Sequence, residues 1–442
     1  MIRALLAACA LLLLAACGGG GGGVTGSTAV GVGASPPPPP TPPPPPAAQN
    51  FATLTVDAGP AGLSSGPNGY IQYNVAYVSV TLCAPGATTC QTIDHVQVDT
   101  GSVGLRVLQS ALSPAMLAAL PIENDANGNP LGECYGFVDG YAFGSVRLAD
   151  FQVGGEKVAG MPFQVIGDGG AFAAVPSLCS SGGGANLAAL TALGANGIIG
   201  VGVTTTDCGP ACAAAGGHSA AIYYDCPSSG CAAIVAEAPS ASAPFQQLPN
   251  PVAAMSVDNN GTIISLPAAS GAQASLTGTL YFGIGTETNN ALGGASVLLT
   301  STSTNPNGAG LINVVYNGLS LGESFIDSGT NLFLFVDSAI AACTGQDAGY
   351  YCPTSPLSLN ATLQGTNQAV TSVAFTLDNA ASLLATNDAV LPGIGGNPNQ
   401  FSGLNAYPQS FDFGLPFFYG RKVYTAIEGR NAGGTTGPYY AF

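Results

Sequence analysis

The sequence predicts an all-β protein of two lobes with a cleft between them. The chain has 442 residues, which is too long for one ordinary hydrophobic core. It contains 63 glycines, and alternating apolar segments bounded by turn residues are much more frequent than helical patterns. A strand-and-turn motif at Val98–Ser102 returns at Ile326–Thr330, so we expect one copy in each lobe.

Each copy of this motif is an apolar strand that ends in Asp, followed by a small hydroxyl residue, Gly and a second hydroxyl residue. Asp99 and Asp327 lie 327 − 99 = 228 residues apart. Two carboxylates on equivalent turns can meet and share one proton, and such a pair performs acid–base chemistry with Asp alone. We therefore predict Asp99 and Asp327 as catalytic residues. The residues predicted to support them are Thr100, Gly101, Ser102, Ser328, Gly329 and Thr330.

The N-terminus has the pattern of a targeting segment. Arg3 precedes the apolar run Leu5–Leu14, which is too short to span a membrane. Leu14–Cys17 resembles a bacterial lipobox, which makes Cys17 the predicted site of lipid (palmitate) attachment and residues 1–17 a lipoprotein signal peptide. A plain secretory signal is the alternative. Gly18 is not Asp, which by the same resemblance favours the outer membrane, with the protein facing the periplasm or the cell surface.

Residues 18–50 predict a tether. Its glycines are expected to be flexible, and the proline run 36–46 is expected to be stiff, spanning roughly 34 Å at about 3.1 Å per residue. Recognition of the prolines by a partner is a minor alternative.

We place the N-terminal β lobe at 51–270, with a Cys-rich insertion at 203–231, and the C-terminal β lobe at 271–442. Short helices are predicted at Pro114–Leu120 and Asp337–Ala342, and a hairpin at Ala253–Leu266.

Cysteine usage predicts disulfides. Ten of the twelve Cys remain when Cys9 and Cys17 are set aside, and exported chains are oxidised. Sequence spacing favours Cys83 with Cys90 and Cys343 with Cys352, and Cys134 with Cys179 is a further candidate pair. Four Cys of the insertion have three possible pairings, and metal binding is a less favoured alternative for them: Cys208, Cys212, Cys226 and Cys231.

Composition limits the possible functions. The net charge is −16, and seven Lys and Arg are spread along the chain without a basic patch, which argues against nucleic-acid binding. His95 and His218 are the only histidines in the sequence, and no phosphate loop, nucleophile elbow or metal-spaced His cluster is present. We expect no cofactor and no metal. The membrane is expected to be contacted only through the lipid, and the protein is expected to be a monomer.

The order of these motifs resembles the pepsin-like aspartic peptidases. In that family each lobe supplies an apolar–Asp–Thr/Ser–Gly turn and a later apolar–apolar–Gly strand that crosses behind it. The matching strands here are Ile198–Gly200 and, less closely, Asp412–Gly414. The resemblance extends roughly from Ala76 to the C-terminus, apart from the Cys-rich insertion. The whole chain also looks like an uncharacterised family of Gram-negative lipoproteins.

The resemblance implies roles for particular residues. Ser102 and Thr330 would hydrogen bond the outer carboxylate oxygens, and Thr100 and Ser328 would lock the two turns together. The segment 133–155 predicts a hairpin, and Tyr135 on it matches the family's substrate flap. An ordinary surface hairpin is the alternative, as is a flap tip that involves Tyr141. Two positions depart from the pattern: Arg106 stands where the family usually has Trp, and Asp412 interrupts the second apolar strand.

Two functions follow as hypotheses. The first is an aspartic endopeptidase that hydrolyses a peptide or an unfolded protein with an Asp99/Asp327 dyad and an activated water. The second is a catalytically inactive envelope lipoprotein that binds a peptide or protein partner in the same cleft. Both Asp residues with Ser102 and Thr330 favour the enzyme, whereas Arg106 and Asp412 favour the binding protein.

Overall fold

The computed structural model describes residues 49–64, 71–125, 127–209, 212, 221–235, 247–305, 308–401 and 409–442. The predicted signal peptide with Cys17, nearly all of the predicted tether and part of the Cys-rich insertion lie outside these residues. The described residues belong to one compact unit. Among the described residues, no helix combines the length and the apolar character needed to cross a bilayer. The lobe boundary near residue 270 stays a prediction.

The described chain is mostly β structure, as predicted. The strands up to residue 234 are β1 (Phe51–Val56), β2 (Ala76–Cys83), β3 (Cys90–Asp99), β4 (Val103–Leu108), β5 (Leu131–Gly136), β6 (Gly140–Val153), β7 (Glu156–Ile166), β8 (Ala185–Asn186), β9 (Gly197–Val201), β10 (Ala221–Asp225) and β11 (Ala232–Ile234). Their apolar residues alternate towards the core, as in β1, where Ala52, Leu54 and Val56 are buried.

The later strands are β12 (Gly261–Ser265), β13 (Leu276–Phe282), β14 (Val297–Leu299), β15 (Ile312–Tyr316), β16 (Leu319–Ile326), β17 (Phe333–Leu334), β18 (Leu357–Gln364), β19 (Val370–Leu377), β20 (Gly395–Gly396), β21 (Asp412–Phe413), β22 (Lys422–Ala426), β23 (Asn431–Ala432), β24 (Thr435–Thr436) and β25 (Tyr439–Ala441). The α-helices are α1 (Ala61–Ser64), α2 (Pro114–Ala119), α3 (Ser177–Ser180), α4 (Leu190–Leu193) and α5 (Ala380–Leu384).

Two large sheets organise these strands. In the described part of the chain, sixteen strands form one sheet in the order β11-β10-β5-β6-β7-β4-β9-β3-β2-β1-β13-β12-β22-β25-β14, with β8 paired to β6. Seven strands form the second sheet, in the order β19-β18-β15-β16-β21-β17-β20. The first sheet joins the two parts of the chain, because β1 pairs with β13 over its whole length. The fold is therefore all-β and bilobal.

The same crossing arrangement occurs at both Asp motifs. β9 runs parallel to β3, with Gly200 opposite Asp99, and antiparallel to β4. In the second sheet β21 runs parallel to β16, with Phe413 opposite Ile326, and antiparallel to β17. In each case the later strand lies between the strand that enters the Asp turn and the strand that leaves it. This arrangement fixes both turns against the core.

The core behind the second turn is aromatic. The Phe411 ring stacks on Phe413 with centroids 4.2 Å apart, and on Phe335 at 4.5 Å. All three side chains are fully buried. Burial of a Phe side chain contributes roughly 1.5–3 kcal/mol, and stacked pairs contribute about 0.5–1.5 kcal/mol more. The cluster therefore supports the strand that carries Asp412 directly before Phe413.

The described residues form five disulfides, which include the two pairs that spacing favoured, Cys83–Cys90 and Cys343–Cys352, and the further candidate pair Cys134–Cys179. In the insertion, the structure selects one of the three possible pairings, Cys208–Cys212 with Cys226–Cys231.

Local predictions had mixed outcomes. α2 is confirmed, because Ser113 caps it by accepting a hydrogen bond from the Met116 N–H at 3.1 Å. The helix predicted at Asp337–Ala342 is wrong. The Asp337 carboxylate accepts the Ala339 N–H at 2.9 Å and forms a turn instead. The hairpin at Ala253–Leu266 is also wrong, since residues 251–258 form turns and bends and β12 pairs with β13 and β22.

Candidate active site

The first Asp turn lies between β3 and β4. The Oδ1 atom of Asp99 accepts hydrogen bonds from the N–H of Gly101 at 2.8 Å and of Ser102 at 3.2 Å. Its Oδ2 atom accepts a hydrogen bond from the Ser102 hydroxyl. The side chain is buried, with 6% of the residue exposed. Three donors therefore surround this carboxylate, which stabilises its charged form.

The second turn repeats this arrangement after β16, with one difference. The Oδ1 atom of Asp327 accepts the Gly329 N–H at 2.7 Å, and its Oδ2 atom lies 3.2 Å from the Thr330 hydroxyl. The same hydroxyl lies closer, at 2.6 Å, to Oδ2 of Asp412. Asp327 thus has fewer donors than Asp99, and it shares one of them with a third carboxyl group.

The two turns are locked together by reciprocal hydrogen bonds. The Ser328 N–H donates to the Thr100 hydroxyl oxygen at 2.9 Å, and the Thr100 N–H donates to the Ser328 hydroxyl oxygen at 3.2 Å. The hydroxyl groups then donate to the opposite strands, Ser328 to the carbonyl of Val98 at 2.7 Å and Thr100 to that of Ile326 at 3.3 Å. This lock sets the spacing of the two Asp residues.

The Asp99 and Asp327 side chains approach each other, because each lies against the glycine of the opposite turn. Burial raises the pKa of Asp327 well above its usual value, and the charges of Asp99 and Asp412 raise it further. The approach requires glycine on both sides. A Cβ atom on Gly101 would lie 2.5 Å from Asp327 Oδ2, and one on Gly329 would lie 2.5 Å from Asp99 Oδ1.

A cavity of about 390 Å³ opens above the two Asp residues. Three carboxyl groups line it, and no described Arg, Lys or His does. Apart from these, its walls are mainly aromatic and aliphatic, with a few uncharged polar groups. The lining residues are Tyr73, Gln97, Asp99, Phe137, Val138, Asp139, Leu187, Leu193, Ile198, Asp327, Gly329, Thr330, Asn331, Leu332, Leu334, Tyr350 and Phe401.

The hairpin of β5 and β6 reaches this cavity with its tip. Phe137, Val138 and Asp139 line the cavity, whereas Tyr135 does not. The Tyr135 ring lies instead against Arg106, with the guanidinium carbon 3.7 Å from the ring centroid, and packs on Phe137 at 4.8 Å. The role of Tyr135 as the residue that covers substrate stays a prediction, as does the alternative with Tyr141.

Arg106 belongs to a buried polar cluster behind the hairpin. Its guanidinium donates to Glu133 at 2.5 Å, to Asp207 at 3.2 Å and to the Val103 carbonyl at 2.8 Å. Tyr223 donates to Asp207 at 2.8 Å. The side chains of Arg106, Glu133 and Asp207 are fully buried. Burial and the adjacent Glu133 charge raise the pKa of Asp207 well above its usual value.

Sequence reasoning missed most of the cavity walls. Tyr73 and Tyr350 are joined by a hydrogen bond between their hydroxyl groups, although they are 277 residues apart. No local pattern signals such a pair. The hairpin tip could have been found, because the turn between two predicted arms that cover a cleft must face that cleft.

The comparisons with known proteins agree with this fold. Residues 46–442 match the model of a family described as "Protein of unknown function (DUF3443)". The chain belongs to this family. No curated protein sequence matches it. Among solved structures, it is similar to the aspartic proteinase from Irpex lacteus at 16% identity and a TM-score of 0.51, over 89% of this chain and 96% of that one. A likeness at this identity establishes a pepsin-like fold.

Proposed function

We propose that the protein is an aspartic endopeptidase that hydrolyses peptide bonds with Asp99, Asp327 and an activated water. The observation that carries this proposal is the close approach of the two carboxyl groups, each packed against the glycine of the other's turn and both lining one cavity. Two like charges at this distance cannot both persist, so the pair holds one proton and one negative charge. The pair titrates jointly, with macroscopic pKa values that belong to both residues.

Asp99 and Asp327 receive different numbers of hydrogen bonds, and this difference indicates which of the two carries the shared proton. Asp99 accepts three hydrogen bonds from its own turn, whereas Asp327 accepts the Gly329 N–H and shares Thr330 with Asp412. The negative charge is therefore better stabilised on Asp99. In the proposed mechanism Asp99 removes a proton from water, and Asp327 donates its proton to the carbonyl oxygen of the peptide bond. The water oxygen bonds to the carbonyl carbon as it loses that proton, which gives a tetrahedral diol. Asp99 then passes its proton to the amide nitrogen, Asp327 takes a proton back from a diol hydroxyl group, and the C–N bond breaks to release an amine and a carboxylic acid.

The cavity lining supports an extended peptide or unfolded protein as the substrate. Most of its lining residues are apolar or aromatic, with a few polar groups among them, which is the usual composition of a binding site. A folded protein would present few segments that could enter between the hairpin tip and the floor. Phe137 at the tip is placed to exclude water from the reacting bond.

Cleavage of an unfolded protein at acid pH tests the proposal. We expect fragments from the full-length protein, and we expect a statine-type inhibitor to suppress them, because its hydroxyl group would occupy the site of the water between the two Asp residues. Absence of fragments from pH 3 to pH 8, with the protein shown to be folded by circular dichroism, would remove the enzyme hypothesis.

A second candidate is a binding protein that holds a peptide or protein partner in the same cleft without cleaving it. The packing of Tyr135 on Arg106 favours it, since the residue that matches the family's flap does not line the cavity. Saturable binding of a statine-type peptide by a folded protein that produces no fragments would support this candidate. Fragments that the inhibitor suppresses would reject it.

We also propose that the protein is anchored by lipid at Cys17 in the outer membrane, facing the periplasm or the cell surface. The support is the sequence Leu14-Ala15-Ala16-Cys17 with Gly18 after it. Labelling with a fatty-acid analogue tests this in the expressed full chain. The wild type should incorporate label and sediment with outer membranes, whereas Cys17→Ser should do neither. Equal labelling of both proteins would contradict the anchor.

A further inference from the structure

Asp412 occupies a position that is apolar in the matching strand of the first lobe. Ile198, Ile199 and Gly200 in β9 correspond to Asp412, Phe413 and Gly414. β21 lies between β16 and β17, so residue 412 is inside the second sheet, and only 3% of it is exposed. A carboxyl group is costly to bury there, whereas Ile198 shows that an apolar side chain suits the equivalent strand.

The surroundings of Asp412 disfavour its ionised form. Its Oδ2 atom lies 2.6 Å from the Thr330 hydroxyl, and its Oδ1 atom has no hydrogen-bond partner among the described residues. No described Arg, Lys or His forms an ion pair with it. The titratable groups that face it are Asp99, Asp327 and the phenol of Tyr440, none of which is a cation. Burial and the charge of Asp99 raise the pKa of Asp412 well above its usual value.

Thr330 has one hydroxyl hydrogen and two carboxyl groups within reach. If Asp412 is protonated, it donates to the Thr330 oxygen, and the Thr330 hydrogen is available to Asp327 at 3.2 Å. If Asp412 is ionised, it takes that hydrogen, because it is nearer, at 2.6 Å, and fully charged. Asp327 then loses its outer donor and gains a negative neighbour. Both effects make Asp327 a weaker acid, which slows proton transfer to substrate.

We propose that Asp412 is a positioning residue that sets the upper pH limit of this site by controlling the direction of the Thr330 hydroxyl group. The working state holds two protons on three carboxyl groups, one within the Asp99/Asp327 pair and one on Asp412. Loss of the Asp412 proton to solvent turns the Thr330 hydrogen away from Asp327 and ends turnover. The inference rests on the proposed peptidase function and adds a residue that limits the pH range of turnover.

The kinetic test compares pH profiles of kcat for the full-length wild type, Asp412→Ile and Asp412→Asn. Asp412→Ile copies the apolar residue of the first lobe, and Asp412→Asn keeps the shape but does not titrate. Because residue 412 no longer titrates in either variant, the pH at which kcat falls on the alkaline side should rise by about half a unit or more in both. A limb that moves to lower pH would mean that Asp412 acts as a permanent charge, and an unchanged limb would mean that it has no role. Either result overturns the proposal.

Two further measurements keep the test interpretable. Thr330→Val should lower kcat about tenfold at pH values below the alkaline limb, where Thr330 donates to Asp327; this is the equivalent of one lost hydrogen bond of about 1.4 kcal/mol, with little change in KM. Infrared difference spectra of folded wild type and Asp412→Asn at pH 5 should show one protonated carboxyl band fewer in the variant. Absence of that difference would overturn the proposal even if no peptide is cleaved, whereas a band difference without any cleavage would instead reject the proposed function.

Discussion

Thr100 and Ser328 exchange hydrogen bonds between the two Asp turns, each donating its N–H to the hydroxyl oxygen of the other. Both residues are buried, and their hydroxyl groups also reach the carbonyls of Ile326 and Val98. The spacing of Asp99 and Asp327 therefore depends on these two short side chains. A structural change at either should affect stability and the dyad together.

We expect Thr100→Val to lower the free energy of unfolding by about 1–3 kcal/mol, because the Ser328 N–H is then left buried without an acceptor. Urea denaturation followed by circular dichroism measures this. Thr100→Ser keeps the hydroxyl group and should cost less than about 1 kcal/mol. A larger loss in Thr100→Ser than in Thr100→Val would mean that the methyl group, rather than the hydrogen bonds, holds the turns together.

The hairpin tip provides a prediction about substrate binding. Phe137 lines the cavity and packs on Tyr135, which packs on Arg106 in turn. Phe137→Ala should raise KM for an unfolded substrate about tenfold, the equivalent of ~1.4 kcal/mol of lost contact. Tyr135→Phe keeps both ring contacts and should change KM less than about twofold. A larger increase in KM for Tyr135→Phe than for Phe137→Ala would show that the Tyr135 hydroxyl group contacts substrate.

The buried cluster behind the hairpin predicts a pH-dependent loss of stability. Arg106→Met leaves Glu133 and Asp207 buried without a cation, which should cost about 3–5 kcal/mol at pH 7. The folded-state pKa of Asp207 is already raised by burial, and loss of the cation raises it further, so the folded state of the variant binds more protons than the unfolded state near neutral pH. Its stability should therefore be greatest at low pH and fall as pH rises through neutrality.

The double variant Arg106→Met/Glu133→Gln is the control for this prediction. Removing one carboxyl group along with the cation should restore much of the stability at pH 7. Thermal denaturation at pH 4 and pH 7 distinguishes the variants. A deficit of Arg106→Met that is the same at both pH values would indicate lost packing rather than an uncompensated charge.

Glu123 provides a second pH prediction, in the wild type itself. Burial raises its pKa to about 8, and its Oε2 atom has no hydrogen-bond partner among the described residues. Because the folded-state pKa is raised, this group's contribution is fully present below the unfolded pKa of about 4.3 and is lost as pH rises towards 8. Glu123→Gln should match the wild type at pH 4 and be roughly 2 kcal/mol more stable at pH 9.

Glu287→Gln, at an exposed site, is the matched control for Glu123→Gln and should leave stability within about 0.5 kcal/mol at both pH values. Denaturation by urea at pH 4 and pH 9 gives both comparisons. If Glu123→Gln is no more stable than the wild type at pH 9, the carboxyl group is solvated when ionised and the predicted penalty is absent.

The sequence predicted elements whose signals are local and repeated. Val98–Ser102 and Ile326–Thr330 indicated both turns, and the short spacing of Cys83 and Cys90 suggested a disulfide that the structure contains. It failed where a local signal competed with distant partners. The turn residues before β12 suggested a hairpin, but β12 pairs with β22, about 160 residues later, and with β13. Pairing over such distances leaves no local periodicity.

In the candidate active site too, features with a local sequence signal could be predicted and features that depend on distant residues could not. The Asp turns could be predicted, because their chemistry lies in consecutive residues. The contact of Thr330 with Asp412 could not, although the Asp in an apolar strand was noticeable, because its meaning depends on a hydroxyl group 82 residues away. The buried partners of Arg106 were missed for the same reason, since Asp207 lies 101 residues from it in the Cys-rich insertion.

The most direct test of the dyad is cleavage of an unfolded protein at pH 4 in ¹⁸O-labelled water by the wild type, Asp99→Asn and Asp327→Asn, with Asp94→Asn on the exposed edge of β3 as the control. We predict that the wild type and the control produce peptides with one ¹⁸O at each new C-terminus, and that both dyad variants lose at least about a thousandfold in rate while remaining folded. Cleavage by Asp99→Asn or Asp327→Asn at a rate close to that of the wild type would contradict the account.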